Sequence, residues 1–462
     1  MGSAEGKSPS SAKSLFGTDG VRGVANLAPT TPEAVLRLGR AAAYACRSGG
    51  SGRQTIVIGR DTRLSGDMLE PALTAGVCSM GVDALLAGVL PTPAIALLTR
   101  TLSAGAGAVI SASHNPFQDN GIKFFAADGF KVPDAVEAQI EQLVLRDDID
   151  DFRPTAGDLG RVIPVGDAAA RYVAFVKQSF PRDRTLDGIK IVLDCAHGAA
   201  YQVGARVFGE LGAAVVLIGA SPDGQNINRD CGALHPQPLR DVVRAERAHV
   251  GIAFDGDADR AICVDDAGAV VDGDEILAII ATEMLERGTL KQGTVVGTVM
   301  SNMGLEMALR ARGARLVRVP IGDRYVVAEM RRLGCNLGGE PSGHIVLLDH
   351  STTGDGILAA LAVVRLVVER QRPLSELRRV MTRLPQALRN VRVAQRRDLN
   401  TIPAVRETIE RITAECGARG RVLVRYSGTE PLVRVMVEGE DTARVEAHAD
   451  EIAASLRTHL SE

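Results

Sequence analysis

Apolar residues recur along the chain in two alternating rhythms. Short β-branched runs ending in Gly, Asp or Ser fall at residues 55–59, 108–111, 189–194, 250–254, 294–299 and 315–319. Between them apolar positions return every three to four residues. Val35, Leu38, Ala42 and Ala45 make one such helical face, and residues 355–370, dense in Ile, Leu, Ala and Val, read as a helix buried on most sides. Thr30 and Glu33 have the spacing of a capping box, with Pro32 early in the first turn. Short apolar strands alternating with helices predict α/β units with a parallel or mixed sheet. Beyond residue 373 the rhythm changes. A short helix, strand-like runs at 388–393, 421–426 and 432–437, and a helix near 402–416 predict a smaller α+β domain with an antiparallel sheet.

Polar loops at the strand ends come in pairs. Arg60-Asp61-Thr62-Arg63 is followed by Ser113-His114-Asn115, Asp194-Cys195-Ala196-His197-Gly198 by Asp255-Gly256-Asp257, and Met300-Ser301-Asn302 by Gly339-Glu340-Pro341-Ser342-Gly343-His344. Three similar segments, each with two functional strand ends, could turn those ends toward one cleft, because ligands of open α/β sheets bind beyond the carboxyl ends of strands. The 462 residues suffice for three or four domains of about 100–200 residues. The expected division is a disordered lead at 1–14, α/β domains at 15–156, 157–262 and 263–372, and an α+β domain at 373–462. The fold class is therefore α/β: three similar mixed α/β domains plus a smaller C-terminal α+β domain around a central cleft.

Composition narrows the partners. The net charge is −3, aromatics make up 3% and Trp is absent, so neither nucleic acid nor an anionic membrane is expected. The apolar run at 357–364 stops at Arg365, far short of the ~20 residues a membrane span needs. Seven scattered cysteines without a C-x-x-C pair suit reduced thiols in a cytoplasmic protein.

Chemistry concentrates in a few loops. Asp255-Gly256-Asp257-Ala258-Asp259-Arg260 follows an apolar strand, and its three carboxylates at alternate positions need a hard dication to relieve their repulsion. A helix–loop–helix calcium site would need Gly where Arg260 stands and Glu where Asp266 stands; an acidic surface turn is the plainer alternative. Residues 110–116, Ile110-Ser111-Ala112-Ser113-His114-Asn115-Pro116, offer a nucleophile beside an imidazole. On an extended chain, however, Ser113 and His114 would point apart and Ser111 and Ser113 would face the same way. Spacing does not choose between the two serines, and an Asx-type turn before Pro116 is the alternative. Lys is scarce, 7 against 46 Arg, which draws notice to Lys123 as a cation for phosphate or proton transfer. Arg425-Tyr426-Ser427-Gly428-Thr429 combines a guanidinium, hydroxyls and flexible backbone that suit a phosphate. Glu340, Ser342 and His344 on a Gly-rich loop could read sugar hydroxyls, and Arg22 could face an anion. Each also has a plain reading as a solvated turn.

Together these motifs resemble the α-D-phosphohexomutase superfamily, over nearly the whole chain and in the family's order. Residues 16–23, 110–116, 300–304, 322–326 and 352–356 are most similar to its bacterial branch acting on glucosamine phosphates. The resemblance implies that Ser113 is the phosphoserine, and that Asp255, Asp257 and Asp259 bind Mg²⁺ together with the Ser113 phosphate. It further implies that Arg260 contacts that phosphate and that Glu340, Ser342 and His344 handle the sugar. Arg425, Ser427, Gly428 and Thr429 would hold the phosphate not being transferred, while Arg22, Lys123 and His114 assist transfer. The implied reaction interconverts glucosamine 6-phosphate and glucosamine 1-phosphate through a 1,6-bisphosphate, in the cytoplasm, on the route to UDP-N-acetylglucosamine, and a homodimer is compatible with it. A glucose- or mannose-phosphate mutase of the same superfamily, a metal-dependent sugar phosphatase and a non-catalytic sugar-phosphate sensor are the alternatives. Three positions depart from the family pattern: Ala258 for Gly, Pro341 for Gln, Tyr426 for Pro.

Overall fold

The computed structural model describes residues 15–17, 19–47, 54–427 and 431–460. The expected lead at 1–14 lies outside them. The first sheet has six strands: β1 Val21–Val24, β2 Thr55–Arg60, β3 Asp83–Val89, β4 Ala106–Ile110, β5 Asp119–Ala126 and β6 Val162–Pro164, in the order β1-β5-β4-β2-β3-β6. The second has five: β7 Lys190–Asp194, β8 Ala214–Ile218, β9 Val250–Phe254, β10 Ala261–Asp265 and β11 Val270–Val271, ordered β11-β10-β9-β7-β8. The third has four: β12 Thr294–Thr298, β13 Arg315–Val319, β14 Leu337–Gly339 and β15 Ile345–Leu347, ordered β13-β12-β14-β15. The last has three antiparallel strands: β16 Gln386–Arg392, β17 Arg421–Tyr426 and β18 Leu432–Glu438, with β18 central.

One motif recurs in the first three sheets. A central strand lies parallel to two neighbours, and the second of these turns back into an antiparallel strand. The sets are β2 with β3, β4 and β5, β7 with β8, β9 and β10, and β12 with β13, β14 and β15. The paired polar loops of the sequence therefore sit at equivalent places. The Ser113, Asp255 and Glu340 loops all link a parallel strand to its antiparallel return.

β9 is buried along its whole length, as expected for a strand covered on both faces. A single apolar core runs through the first three domains, from Val57 and Leu90 through Leu193 and Phe254 to Val295 and Ile357. The helix Gly356–Arg370 lies in it, and Asp355 caps its start by accepting the Leu358 N–H at 2.9 Å. The C-terminal domain has its own core, built on Val433, Val435, Val437, Ile452 and Leu456. Its link to the third domain is polar. The Asn302 amide donates to Leu384 O at 3.0 Å and Glu438 Oε1 at 3.1 Å, and its oxygen accepts from Leu384 N at 3.0 Å.

Three local expectations change. The first helix runs Pro32–Arg47, and Thr31, not Thr30, offers its hydroxyl to the Ala34 N–H; the Thr30 hydroxyl donates to Val24 O and Leu27 O instead. The boundary expected at 156/157 leaves out β6, which extends the edge of the first sheet beside β3. The boundary expected at 262/263 cuts β10, which with β11 completes the second sheet.

Candidate active site

Beyond β9, Asp255, Asp257 and Asp259 each bring one carboxylate oxygen within 4.8 Å of the others, and all three are buried. Ala258, between them, has φ 54°, a left-handed backbone that explains why glycine is usual at this position. Asp257 Oδ2 accepts from Thr92 Oγ1 at 2.6 Å and Lys123 Nζ at 2.9 Å. Asp257 Oδ1 is buried with no hydrogen-bond partner among the described residues, and Asp259 Oδ1 has only His344 Nδ1, at 3.5 Å. Burial, then repulsion from Asp259 and Asp257, pushes the Asp255 carboxyl up to about 8. Buried, mutually repelling carboxylates, one with an unpartnered oxygen, fit a hard divalent metal ion.

Ser113 meets this cluster from the first domain. Its hydroxyl donates to Asp255 Oδ2 at 2.7 Å and lies 3.2 Å from His114 Nδ1. The premise of an extended chain fails here, because Ser113 has φ 51°, so its side chain and that of His114 converge. Ser111 is engaged elsewhere: its hydroxyl donates to Asp61 Oδ2 at 2.6 Å and accepts from Ser113 N. The two serines, which spacing could not separate, are thus distinguished by partner. Arg260 Nη1 donates to His114 Nδ1 at 2.7 Å. Burial, then Arg260 and Arg22, lower His114 to about 4, so its ring is a neutral acceptor at neutral pH.

A ring of alternating charge, drawn from three domains, encloses the far side of the cluster. Lys123 Nζ contacts Asp19 at 3.1 Å and Asp259 at 3.5 Å. The next link pairs Asp259 with His344 Nδ1 at 3.5 Å, and His344 Nε2 lies 3.6 Å from Asp323. Lys131 bonds both Asp323 and Asp19, closing the ring. Burial alone would lower Lys123, but Asp19, Asp257 and Asp259 outweigh it and raise its pKa. Burial likewise opposes the charge on His344, yet Asp259 and Asp323 push its imidazole up to about 9. His344 thus sits beneath the cleft, 2% exposed, between two carboxylates. Glu340, also buried, accepts from Gly322 N at 3.0 Å and from Ser342 Oγ at 3.2 Å. Arg22 bonds Asp19 and keeps its Nε unpartnered among the described residues.

In the C-terminal domain Arg425 stands directly across the β17–β18 pair from Arg434. Burial and that neighbour lower the Arg425 pKa. Like charges opposed across strands are unfavourable unless an anion joins them. Ser427, buried, donates its N–H to Leu432 O at 2.8 Å, and Arg396 donates to Ser427 O. The Tyr426 hydroxyl donates to Arg397 O at 2.6 Å and accepts from Arg397 N at 2.9 Å, which ties the neighbouring segment to β17. Gly428 and Thr429 lie outside the described residues.

Sequence reasoning missed Asp19, Lys131, Asp323 and Arg434. The last was available from the register of the predicted β17–β18 hairpin. The others are far apart along the chain, Asp19 and Lys131 in the first domain and Asp323 in the third, and no spacing links them.

Comparison with known proteins bears on this arrangement. Models of four domains match in order: phosphoglucomutase/phosphomannomutase alpha/beta/alpha domain I at residues 13–150, domain II at 170–268, domain III at 272–384 and the C-terminal domain at 388–455. A phosphoglucosamine mutase of Pelobacter propionicus is 57% identical over 450 residues, 97% of this chain and 99% of the relative. A phosphoglucomutase/phosphomannomutase family protein of Burkholderia thailandensis is similar in structure, with TM-score 0.79, 25% identity and coverage of 97% and 98% of the two chains. An N-acetylphosphoglucosamine mutase of Aspergillus fumigatus, solved with GlcNAc-6P and magnesium, shares the fold at TM-score 0.61 and 20% identity, covering 79% of this chain and 92% of that one. No helix among the described residues is long and apolar enough to cross a membrane.

Proposed function

The chain belongs to the phosphoglucomutase/phosphomannomutase family, and from that premise we propose that it interconverts glucosamine 6-phosphate and glucosamine 1-phosphate. The observation that carries the reading is the Ser113 hydroxyl, 2.7 Å from Asp255 in a buried cluster of three carboxylates. The relatives above 50% identity named phosphoglucosamine mutase favour the amino sugar, and their bacterial origin favours a cytoplasmic enzyme.

Phosphorylated Ser113 gives its PO₃ unit to the free hydroxyl of the bound hexosamine phosphate. The Oγ–P bond breaks as the sugar O–P bond forms, and the proton lost by the sugar hydroxyl is balanced by one taken up at Ser113 Oγ. His114, neutral and 3.2 Å from that oxygen, accepts from Arg260 at Nδ1 and so holds the guanidinium beside the transferring group. The resulting 1,6-bisphosphate turns over and returns its other phosphate to Ser113. Asp255, Asp257 and Asp259 would hold Mg²⁺, the ion bound to the Aspergillus fumigatus relative, and when bound it supplies Lewis-acid stabilisation of the transferring group. Three carboxylates and a phosphoserine stay strongly anionic even beside a dication, so Arg260, Arg22 and Lys123 lower the electrostatic barrier to a second phosphate. Glu340 and Ser342 face the sugar, and Arg425 with Ser427 grips the phosphate that stays in place. The polar Asn302 link lets the C-terminal domain release that grip during the turn.

A coupled assay comparing glucosamine, glucose and mannose 6-phosphates, with Mg²⁺ and trace bisphosphate, tests this. Fastest turnover is expected with the amino sugar. Release of inorganic phosphate in step with substrate loss would make the protein a phosphatase and end the proposal.

A further inference from the structure

Arg63 is fully buried, yet it touches none of the three cluster carboxylates. All five of its guanidinium N–H groups are used. Nε donates to Asp61 Oδ2 at 2.9 Å, Nη1 to Pro116 O and to Asp119 O at 3.0 Å, and Nη2 to Ser113 O at 2.9 Å and Asn115 O at 2.8 Å. Three of the five acceptors are backbone carbonyls of the loop that carries Ser113, and a fourth is Asp119 O, where β5 begins. Asp61 in turn accepts from Ser111 Oγ, and Ser111 Oγ accepts the Ser113 N–H at 2.9 Å. Both backbone polar groups of Ser113 therefore end in one closed network.

The second domain grips the same carbonyls. Asn228 Nδ2 donates to Ser113 O at 2.9 Å and Asn115 O at 3.0 Å. Gly256, between two of the cluster carboxylates, lies flat against this junction; a Cβ there would fall 2.6 Å from Ser113 O and 2.9 Å from Asn228 Nδ2. Ser113 itself has φ 51°, a conformation unfavourable for a non-glycine residue that persists where surrounding contacts over-determine it. Arg63 and Asp61 carry opposite charges at 2.9 Å, so the network adds no net positive charge toward a phosphate. Its effect is geometric.

We infer that Arg63, Asp61 and Asn228 are positioning residues: they lock Ser113 in its left-handed conformation so that Oγ stays aimed at the Asp255 cluster against the repulsion of its phosphate by three carboxylates. The inference rests on the reading of Ser113 as the phosphoryl carrier, and its test separates the two. Native chain, Asn228→Ala and Arg63→Lys are phosphorylated with hexosamine 1,6-bisphosphate, desalted and mixed with glucosamine 6-phosphate. Loss of the phosphoryl group is followed by intact mass, and the rate of loading is read in the same way. These first-order constants do not depend on what fraction of the sample is folded, so a merely structural defect leaves them unchanged.

Asn228→Ala is expected to slow transfer about 10- to 100-fold, with half-saturation by the sugar phosphate moving less than about threefold, because a misplacement near 1 Å has that effect on reacting atoms. Arg63→Lys, whose single ammonium replaces a five-donor fork, is expected to lose at least as much. Transfer at the native rate in Asn228→Ala overturns the inference, whether or not Arg63→Lys folds. In parallel, Ser113→Ala that still isomerises would overturn the carrier reading itself; Ser113→Ala inactive with Asn228→Ala at the native rate would remove the positioning role alone.

Discussion

The Ser113 loop and the Arg425–Ser427 strand end face the same chemistry with opposite construction. In the first, Ser113 is buried at the junction of two domains, and the loop's backbone carbonyls are held by one arginine and one asparagine from those domains. The second belongs to a domain with its own core, joined through Asn302, and it sets two arginines against each other across a strand pair. A group that breaks and forms bonds has to be placed to a fraction of an ångström. A group that must hold a phosphate and then release it needs charge in surplus and freedom to withdraw. On the proposed reading, rigidity is concentrated where the phosphoryl group changes hands, and paired arginines stand where the other phosphate would be gripped.

Substitutions at the two ends separate these roles. Ser113→Ala should lower turnover by on the order of 10⁴-fold or more, measured with bisphosphate present, since Ser113 is the hydroxyl that meets Asp255, while Ser111 is held by Asp61. Asp257→Asn removes a charge that Lys123 and Thr92 already contact; kcat should fall about 10²- to 10³-fold and its Mg²⁺ dependence should largely vanish in a metal titration. At the other end, Arg425→Ala should raise KM about 10- to 100-fold while kcat falls less, the size of one charge-assisted phosphate contact. Equal losses in kcat and KM at both ends would erase the contrast.

The smallest effect is expected at the Asn302 junction. Burial, then Asp272, raises Asp274 to about 7, and its carboxylate accepts the Asn302 N–H at 2.7 Å. Its folded pKa lies above the ordinary 3.8, so the folded chain binds the extra proton. The stability this gives is complete below pH 3.8 and is lost as pH rises through 7. Asp274→Asn should therefore gain on the native chain as pH rises from 6 to 8, by about 1–3 °C in Tm by calorimetry. A gap that narrows over that range would contradict the assignment.

Much of this organisation is legible in the sequence. The strands at 250–254 and 315–319 fall where apolar β-branched runs place them, and the paired polar loops follow the threefold repeat of the sheets. What is not legible depends on backbone conformation or on distance along the chain. Ser113 and Ser111 look alike by alternation, and only the left-handed turn at Ser113 sends one hydroxyl to Asp255 and leaves the other with Asp61. The ring through Asp19, Lys131, Asp323, His344 and Asp259 joins three domains, so local spacing carries no trace of it. Thr30 and Thr31 are both sound helix caps by type, and the choice between them was made by the loop carbonyls of Val24 and Leu27.

The most direct measurement is the location of the phosphoryl group. The chain is incubated with hexosamine 1,6-bisphosphate and Mg²⁺, digested, and its phosphopeptide from the Ile110–Pro116 loop fragmented by mass spectrometry. A single phosphate on Ser113, removed when glucosamine 6-phosphate is added, is the predicted result. A phosphate on Ser111 or outside that loop, or one on Ser113 that the sugar phosphate does not remove, would contradict it.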